Sequence, residues 1–402
     1  MQADEKKEAS LEEIGSDGRG TGLEVEKPEL ADGSIKAPFD PAKIDVITQA
    51  RTVDLLLTRL KEKEMDLSPE FQRRSNLWTD KRKSGLIESM LLRIPIPSLY
   101  VSEDSSGNYA VVDGLQRMCA IAHFVKVDAL NAAVGTTLAP LRLSGLQSLS
   151  TDYIGKSYAE LPRPLQRRIS ETELTLHIIR ASTPPAVKFN IFSRINQGGL
   201  PLAPQEIRNA IYQGEWRSRV KSMAENIIFK EATAYKIRGE RMEDIELVLR
   251  FIAHYTQSNF AQRPEKQNLD DFLNNFVQYE CSKWSEIDWD EAEGGFYKAM
   301  KYAKLIFGRH AFRKYYADNG YLRPINRGLF ESESVVLARF DELELEVLAS
   351  KQEVVLQGLA RLFDNDNDGN FNSSLLYATG RGSSSNIRLN ALDKLLRSIL
   401  DA

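Results

Sequence analysis

Two short apolar runs, at residues 99–102 and 109–112, flank the polar turn Ser105-Ser106-Gly107-Asn108 and lead straight into Asp113-Gly114. Behind that glycine, Leu115, Met118, Cys119, Ala122 and Val125 recur at helical spacing. A hairpin that feeds its second strand directly into a helix admits few backbones. The chain has to turn sharply at Gly114, where a residue without a Cβ is free to do so. The pattern predicts a mixed α+β domain. It also predicts a helix start whose free amides and dipole offer a seat for phosphate.

The flanking sequence extends this unit. A short helix is expected over 53–60, then a loop with Pro69, Gln72 and Arg73 that ends at Trp78. Leu86, Ile87, Met90, Leu91 and Ile94 mark a further helix, with Thr79 or Asp80 as cap and Pro95 and Pro97 as stop. Downstream come a strand at 174–179, a helix at 185–195, the break Gly198-Gly199 and a short helix at 204–212. After Glu215 the strand signals fade, and helices are expected at 216–229, 241–256, 268–284, 290–317, 331–362 and 387–400, with residues 383–386 capping the last. Residues 1–42 are polar without apolar period and read as a disordered acidic tail; 43–214 form the mixed domain and 215–402 a helical one.

Charge and composition narrow the function. Residues 1–40 hold 11 acidic against 5 basic side chains, and the rest of the chain is close to neutral. That balance argues against tight nonspecific duplex binding, which leaves a basic footprint. Only Cys119 and Cys281 are present, as expected of buried thiols in a reducing compartment. With no signal-peptide pattern and no apolar run long enough to span a bilayer, the expectation is a cytoplasmic protein without membrane partners.

Three polar clusters stand out. Asp113 and Gln116 have capping-box spacing, which by itself needs no ligand. Arg117 does not fit that account: a cation in the first helical turn opposes the dipole, whereas a bound anion would call for it. The second cluster is Gln72-Arg73-Arg74, with Trp78 just after. The third runs from Arg194-Ile195-Asn196 through the glycine break to Gln205-Glu206-Ile207-Arg208-Asn209-Ala210. Alone, the second reads as a solvated basic loop, and the third is as well explained by packing.

Together the clusters resemble the N-terminal domain of GmrSD-type restriction proteins, a family with a ParB/sulfiredoxin-like fold. The matching segments are Pro69, Phe71-Gln72-Arg73, Trp78, the helix around Leu86-Ile87-Glu88-Ser89-Met90-Leu91, Pro95-Ile96-Pro97, Asp113-Gly114-Leu115-Gln116-Arg117, and Arg194-Ile195-Asn196 through Ala210. The resemblance covers about residues 44–215; the remainder looks like the helical extension of stand-alone members. It implies a ParB/sulfiredoxin-like domain with a small mixed sheet that binds and hydrolyses a nucleoside triphosphate with Mg²⁺, in restriction or anti-phage defence. Gly114, Leu115, Gln72, Arg73, Asn196, Glu206 and Arg208 would bind the nucleotide, and Asp113, Gln116 and Arg117 would carry the chemistry. DNA, a nuclease acting in trans and further copies of the chain are the partners left open. Leu115 departs from the family's Asp-Gly-Gln-Gln-Arg, and Ala203 stands where a Ser or Thr cap is usual. The rival readings are a ParB-like DNA-binding or DNA-nicking module and an interaction scaffold with a decayed site.

Other motifs carry less. Gly155-Lys156-Ser157 ends like a P-loop, but Ser150 stands where its first glycine belongs. The run from Asp364 to Gly369 opens like a calcium loop, yet Leu375 replaces the bidentate Glu. His123, His177, His254 and His310 are scattered without ligand spacing, which leaves no candidate for the His-Asn-His nuclease many family members carry.

Overall fold

A computed structural model describes residues 12–15, 18–26, 43–67, 78–149, 151–195, 203–257, 263–316, 322–364, 370–376 and 379–402. They fall into two compact units: residues 38–213, and residues 214–402 together with 1–37. The first is mixed α+β and the second largely helical.

In chain order, β1 (Glu12–Ile14) and β2 (Gly20–Glu24) pair antiparallel. The mixed unit then begins with β3 (Val46–Thr52), α1 (Val53–Lys61) and β4 (Met65–Asp66). Next come α2 (Asp80–Leu91), capped by Thr79, then β5 (Leu99–Glu103) and β6 (Tyr109–Asp113). After these follow α3 (Leu115–Val125), α4 (Val127–Val134), α5 (Arg163–Ser170), β7 (Glu173–Ile179), α6 (Pro185–Ile195) and α7 (Pro204–Ile211).

Five strands form one sheet in the order β3-β7-β5-β6-β4, with β3–β7 and β5–β6 antiparallel and β7–β5 and β4–β6 parallel. One face carries Leu99, Val101, Tyr109, Val111, Leu174, Leu176 and Ile178 into the core, against Leu56, Leu60, Ile87, Met90, Leu91, Met118 and Ile121 of the helices. On that core side, Glu88 of α2 accepts the backbone amides of Gln147, Ser148 and Leu149. Burial alone would raise its carboxyl; these three donors pull it below the usual carboxylate range and pin the loop to α2.

The helical unit contains α8 (Trp216–Glu225), α9 (Ile227–Ala232), α10 (Glu243–Tyr255), α11 (Leu269–Asn275), α12 (Glu286–Phe307), α13 (Arg327–Arg339), α14 (Glu342–Ser350), α15 (Gln352–Asp364), α16 (Asn370–Leu376) and α17 (Gly382–Leu400). The single helix expected over 331–362 is three. Phe340 ends α13 in extended conformation, and Asp341 starts α14 with a capping box to Glu344. The serines expected to cap α17 do not: Arg381 holds the cap position, and Ser385 lies within the helix, donating to Glu331 Oε1 at 2.6 Å. The seven-residue β3, the two-residue β4, α4 and α5 are elements that the apolar spacing did not announce.

The acidic N-terminal stretch is not wholly a disordered tail. Its described residues join the helical unit through carboxylates. Glu13 pairs with Arg327 at 2.7 Å, Glu24 with Lys314 at 2.8 Å and with the Asn326 amide at 2.9 Å, and Glu26 with Arg250 at 3.1 Å. Leu23 between them is fully buried. Composition pointed to solvation because the cationic partners lie some 220 to 300 residues further on, for example Arg250 and Arg327.

Around α13 the charges continue inward. Glu331 bonds Arg388 at 2.9 Å and lies 3.7 Å from His254. Burial alone would raise the Glu331 carboxyl, but His254 and Arg388 hold it well below the usual range, while burial pushes the His254 imidazole down to about 4. Burial likewise opposes ionisation of Glu26, yet Arg250 and Arg327 bring its carboxyl down to about 2. Glu333 is different: burial raises its carboxyl well above the usual carboxylate range, against the Phe312 amide and Arg313, which lower it. Both cysteines are buried, and burial pushes the Cys281 thiol up to about 12. Among the described residues no helix is long and apolar enough to cross a membrane.

These shifts set the acid stability. His254, depressed from 6.5 to about 4, contributes stability complete above pH 6.5 and lost as pH falls toward 4; Glu26, depressed from 4.5 to about 2, contributes stability lost between those values. Urea unfolding of Glu26→Gln should show a loss of roughly 1–3 kcal/mol at pH 7 and a shallower decline below pH 4.5 than the parent chain.

Candidate functional site

At the end of β6 the chain turns through Gly114, whose φ of 96° places it in the left-handed region and at the N-cap of α3. A Cβ built there would lie 2.1 Å from Leu99 Cδ2, so both conformation and space require glycine. No side chain caps this helix. The amide of Met118 bonds the Gly114 carbonyl, whereas those of Leu115, Gln116 and Arg117 precede the first intrahelical acceptor and point out from the helix end.

The capping box suggested by Asp113 and Gln116 does not form. Asp113 is the last residue of β6, and its carboxylate instead accepts from Arg117 Nη2 at 2.8 Å, one helical turn on. Arg117 Nη1 donates to the Pro97 carbonyl, also at 2.8 Å, spanning the end of the sheet between β6 and the segment entering β5. The anion that the sequence called for beside Arg117 is thus supplied in the structure by Asp113. Counting cations against the helix dipole could not separate a ligand from a carboxylate four residues back. Pro97, expected as a helix stop and part of the Pro95-Ile96-Pro97 match, is the second anchor.

The remaining expected residues sort as follows. Leu115 buries its side chain in the core and faces the turn only through its backbone. Gln116 is half-buried, with Oε1 buried and without a hydrogen-bond partner. Glu206 and Arg208 are buried on α7, which packs against β6. Glu206 Oε2 accepts the Ala203 amide at 2.5 Å, half of a capping box that Ala203 cannot reciprocate. Arg208 donates to Gln205 Oε1 and lies 5.8 Å from the Phe189 ring centroid. Gln72, Arg73 and Asn196 lie outside the described residues, as does the run from 365 to 369.

Among the described residues no three His, Cys, Asp or Glu side chains group to hold a metal. Asp113 is the carboxylate at the turn, and Arg117 takes one of its oxygens. The Gly155-Lys156-Ser157 segment is a turn in which Ser157 and Glu160 form a capping box, not a phosphate loop.

Residues 56–213 match the family model described as GmrSD restriction endonuclease, N-terminal domain. This stretch belongs to that domain family. The matched segment ends at the boundary of the mixed unit and contains the whole Gly114 turn. No curated protein and no solved structure matches the chain. Within the GmrSD-type domain the glycine of Asp-Gly-x-Gln-Arg therefore has a physical requirement of its own, apart from any ligand. Gly114→Ala should lower stability by about 2–4 kcal/mol, from the left-handed backbone and the clash with Leu99 together, read as an earlier urea midpoint.

Proposed function

We propose that the GmrSD-type domain binds a nucleoside triphosphate over the Gly114 turn and hydrolyses it, in the service of DNA restriction or defence against phage. One observation carries the reading: the family motif falls on an uncapped helix N-terminus whose backbone admits no side chain, with an arginine and a carboxylate clasped at its rim. Outward amides at Leu115 and Gln116 would receive phosphate oxygens without rearrangement. Arg117 uses Nη1 for Pro97 and Nη2 for Asp113, and a guanidinium has five N–H donors, so capacity remains for a phosphate.

Phosphoryl transfer needs positioning and neutralisation of charge more than covalent help. Arg117 would neutralise charge on the transferred group, Asp113 would orient the attacking water, and the unpartnered Gln116 carbonyl oxygen would accept a hydrogen bond from it. Mg²⁺ is ordinarily held by one or two carboxylates plus the phosphates of the substrate. The second oxygen of Asp113 suits that arrangement, and the ion would supply neutralisation of phosphate charge. The family description's restriction activity motivates the biological role.

A second reading is favoured by the same clasp: with Arg117 already neutralised by Asp113, the turn is a closed structural element of an interaction scaffold. Thermal melts separate the two. If nucleotide binds, a hundredfold excess over Kd should stabilise the chain by roughly 2.7 kcal/mol. Arg117→Ala should remove that shift, and phosphate release with it, while its own stability falls by no more than about 1–2 kcal/mol. A melting curve that triphosphates leave unmoved, with and without Mg²⁺, selects the scaffold.

A further inference from the structure

The sheet face turned away from the core is covered over part of its area. Ser102, Ala110 and Ile179 are buried there, and Lys188 of α6 donates to Ser102 Oγ at 3.0 Å and to the Glu103 carbonyl at 2.8 Å. In the next row Val112 of β6 is still buried, and among the described residues the other strands are more open. Thr48 on β3 is exposed, and His177 on β7 and Tyr100 on β5 are half-buried. These three are direct cross-strand neighbours, and the partner of Tyr100 on its other side is Asp113. An irregularity in the β5–β6 register, between Tyr100 and Val101, brings Asp113 opposite the tyrosine.

The Tyr100 and His177 rings are stacked, with centroids 4.6 Å apart and planes inclined by 28°. That separation is close to the spacing of about 4.8 Å between strands, so both rings stand upright on the sheet and face each other across it. Thr48 Oγ1, hydrogen-bonded to His177 Nδ1 at 2.9 Å, steadies the imidazole. One face of the phenol is therefore taken by His177. Its other face is turned toward the strand that ends at Asp113-Gly114.

We propose that Tyr100, backed by His177, is the platform on which the base of the bound nucleotide stacks, with the phosphates at Gly114. This rests on the nucleotide reading of the Gly114 turn and adds where the base goes and how it is read. Stacking uses the π face that every base has, so the site tolerates different bases and holds the larger purines more tightly than pyrimidines. The alternative role of the pair, support of the sheet through a cross-strand contact, would touch stability and not ligand choice.

Calorimetric titration with ATP, CTP and inorganic tripolyphosphate tests it on the whole chain. The parent chain is expected to bind ATP more tightly than CTP, and both more tightly than tripolyphosphate. Tyr100→Leu keeps apolar bulk without the ring; it should weaken ATP roughly ten- to hundredfold and leave tripolyphosphate within about twofold. Tyr100→Phe should restore ATP binding. Unchanged ATP affinity in Tyr100→Leu overturns the platform, as does an equal loss for ATP and tripolyphosphate. A parent chain that binds the two equally overturns the platform alone, and one that binds neither overturns the nucleotide reading with it.

Discussion

The site depends on a place where the backbone has no room. Gly114 is pressed against Leu99 in a conformation that L side chains rarely adopt, and this contact sets the angle at which β6 passes into α3. The direction of the helix fixes where its outward amides point. It also fixes the distance between Asp113 and Arg117, and so allows the arginine to reach the Pro97 carbonyl on the far side of the turn. A core contact thus determines the geometry of a surface feature. The arginine clasp then ties the segment entering β5 to the start of α3, so the rim of the turn is held from two directions.

The helical unit is organised by a different constraint. From Arg327 to Ala338, α13 is buried on every side, although it carries Glu331, Ser332, Glu333 and Ser334 in succession. A buried helix of that composition needs partners for most of its polar groups. The serines bond the carbonyls of Gly328 and Phe330 one turn back, Glu331 is met by Arg388 and Ser385, and one oxygen of Glu333 accepts the Phe312 amide. Arginines that would read as a solvated face are instead the counterions of an interior.

What could be read beforehand follows from the range of the interactions involved. The hairpin, its glycine and the amphipathic helix after it were legible because turn chemistry and apolar period act within a few residues. So were the helix around Met90 and the strand ending at Ile179. The β3 strand was missed because it carries Gln49 and Arg51 and pairs with β7 more than a hundred residues away. The acidic N-terminal stretch reads as a solvated tail because local composition says nothing about remote counterions. At the candidate site, the residue types were visible as a motif, but the identity of the partner of Arg117 was not. An aspartate four residues back and a phosphate satisfy the same guanidinium, and only the folded geometry tells them apart. Tyr100 and His177 gave no local signal, since their neighbourhood exists only across strands.

The order in which the chain leaves the ribosome adds a consequence to the N-terminal hairpin. The mixed unit is one uninterrupted stretch and can fold as soon as residue 213 has emerged, whereas the helical unit takes its first strands from the opening of the chain and its last helix from the end. During synthesis Glu24 and Glu26 must therefore wait, unpaired and hydrated, until Lys314, Arg250 and Arg327 have been translated. Carboxylates are well suited to that delay, because a charged segment neither aggregates nor collapses onto the wrong surface while its counterparts are still unmade. The acidity that makes this stretch look structureless is what keeps it available.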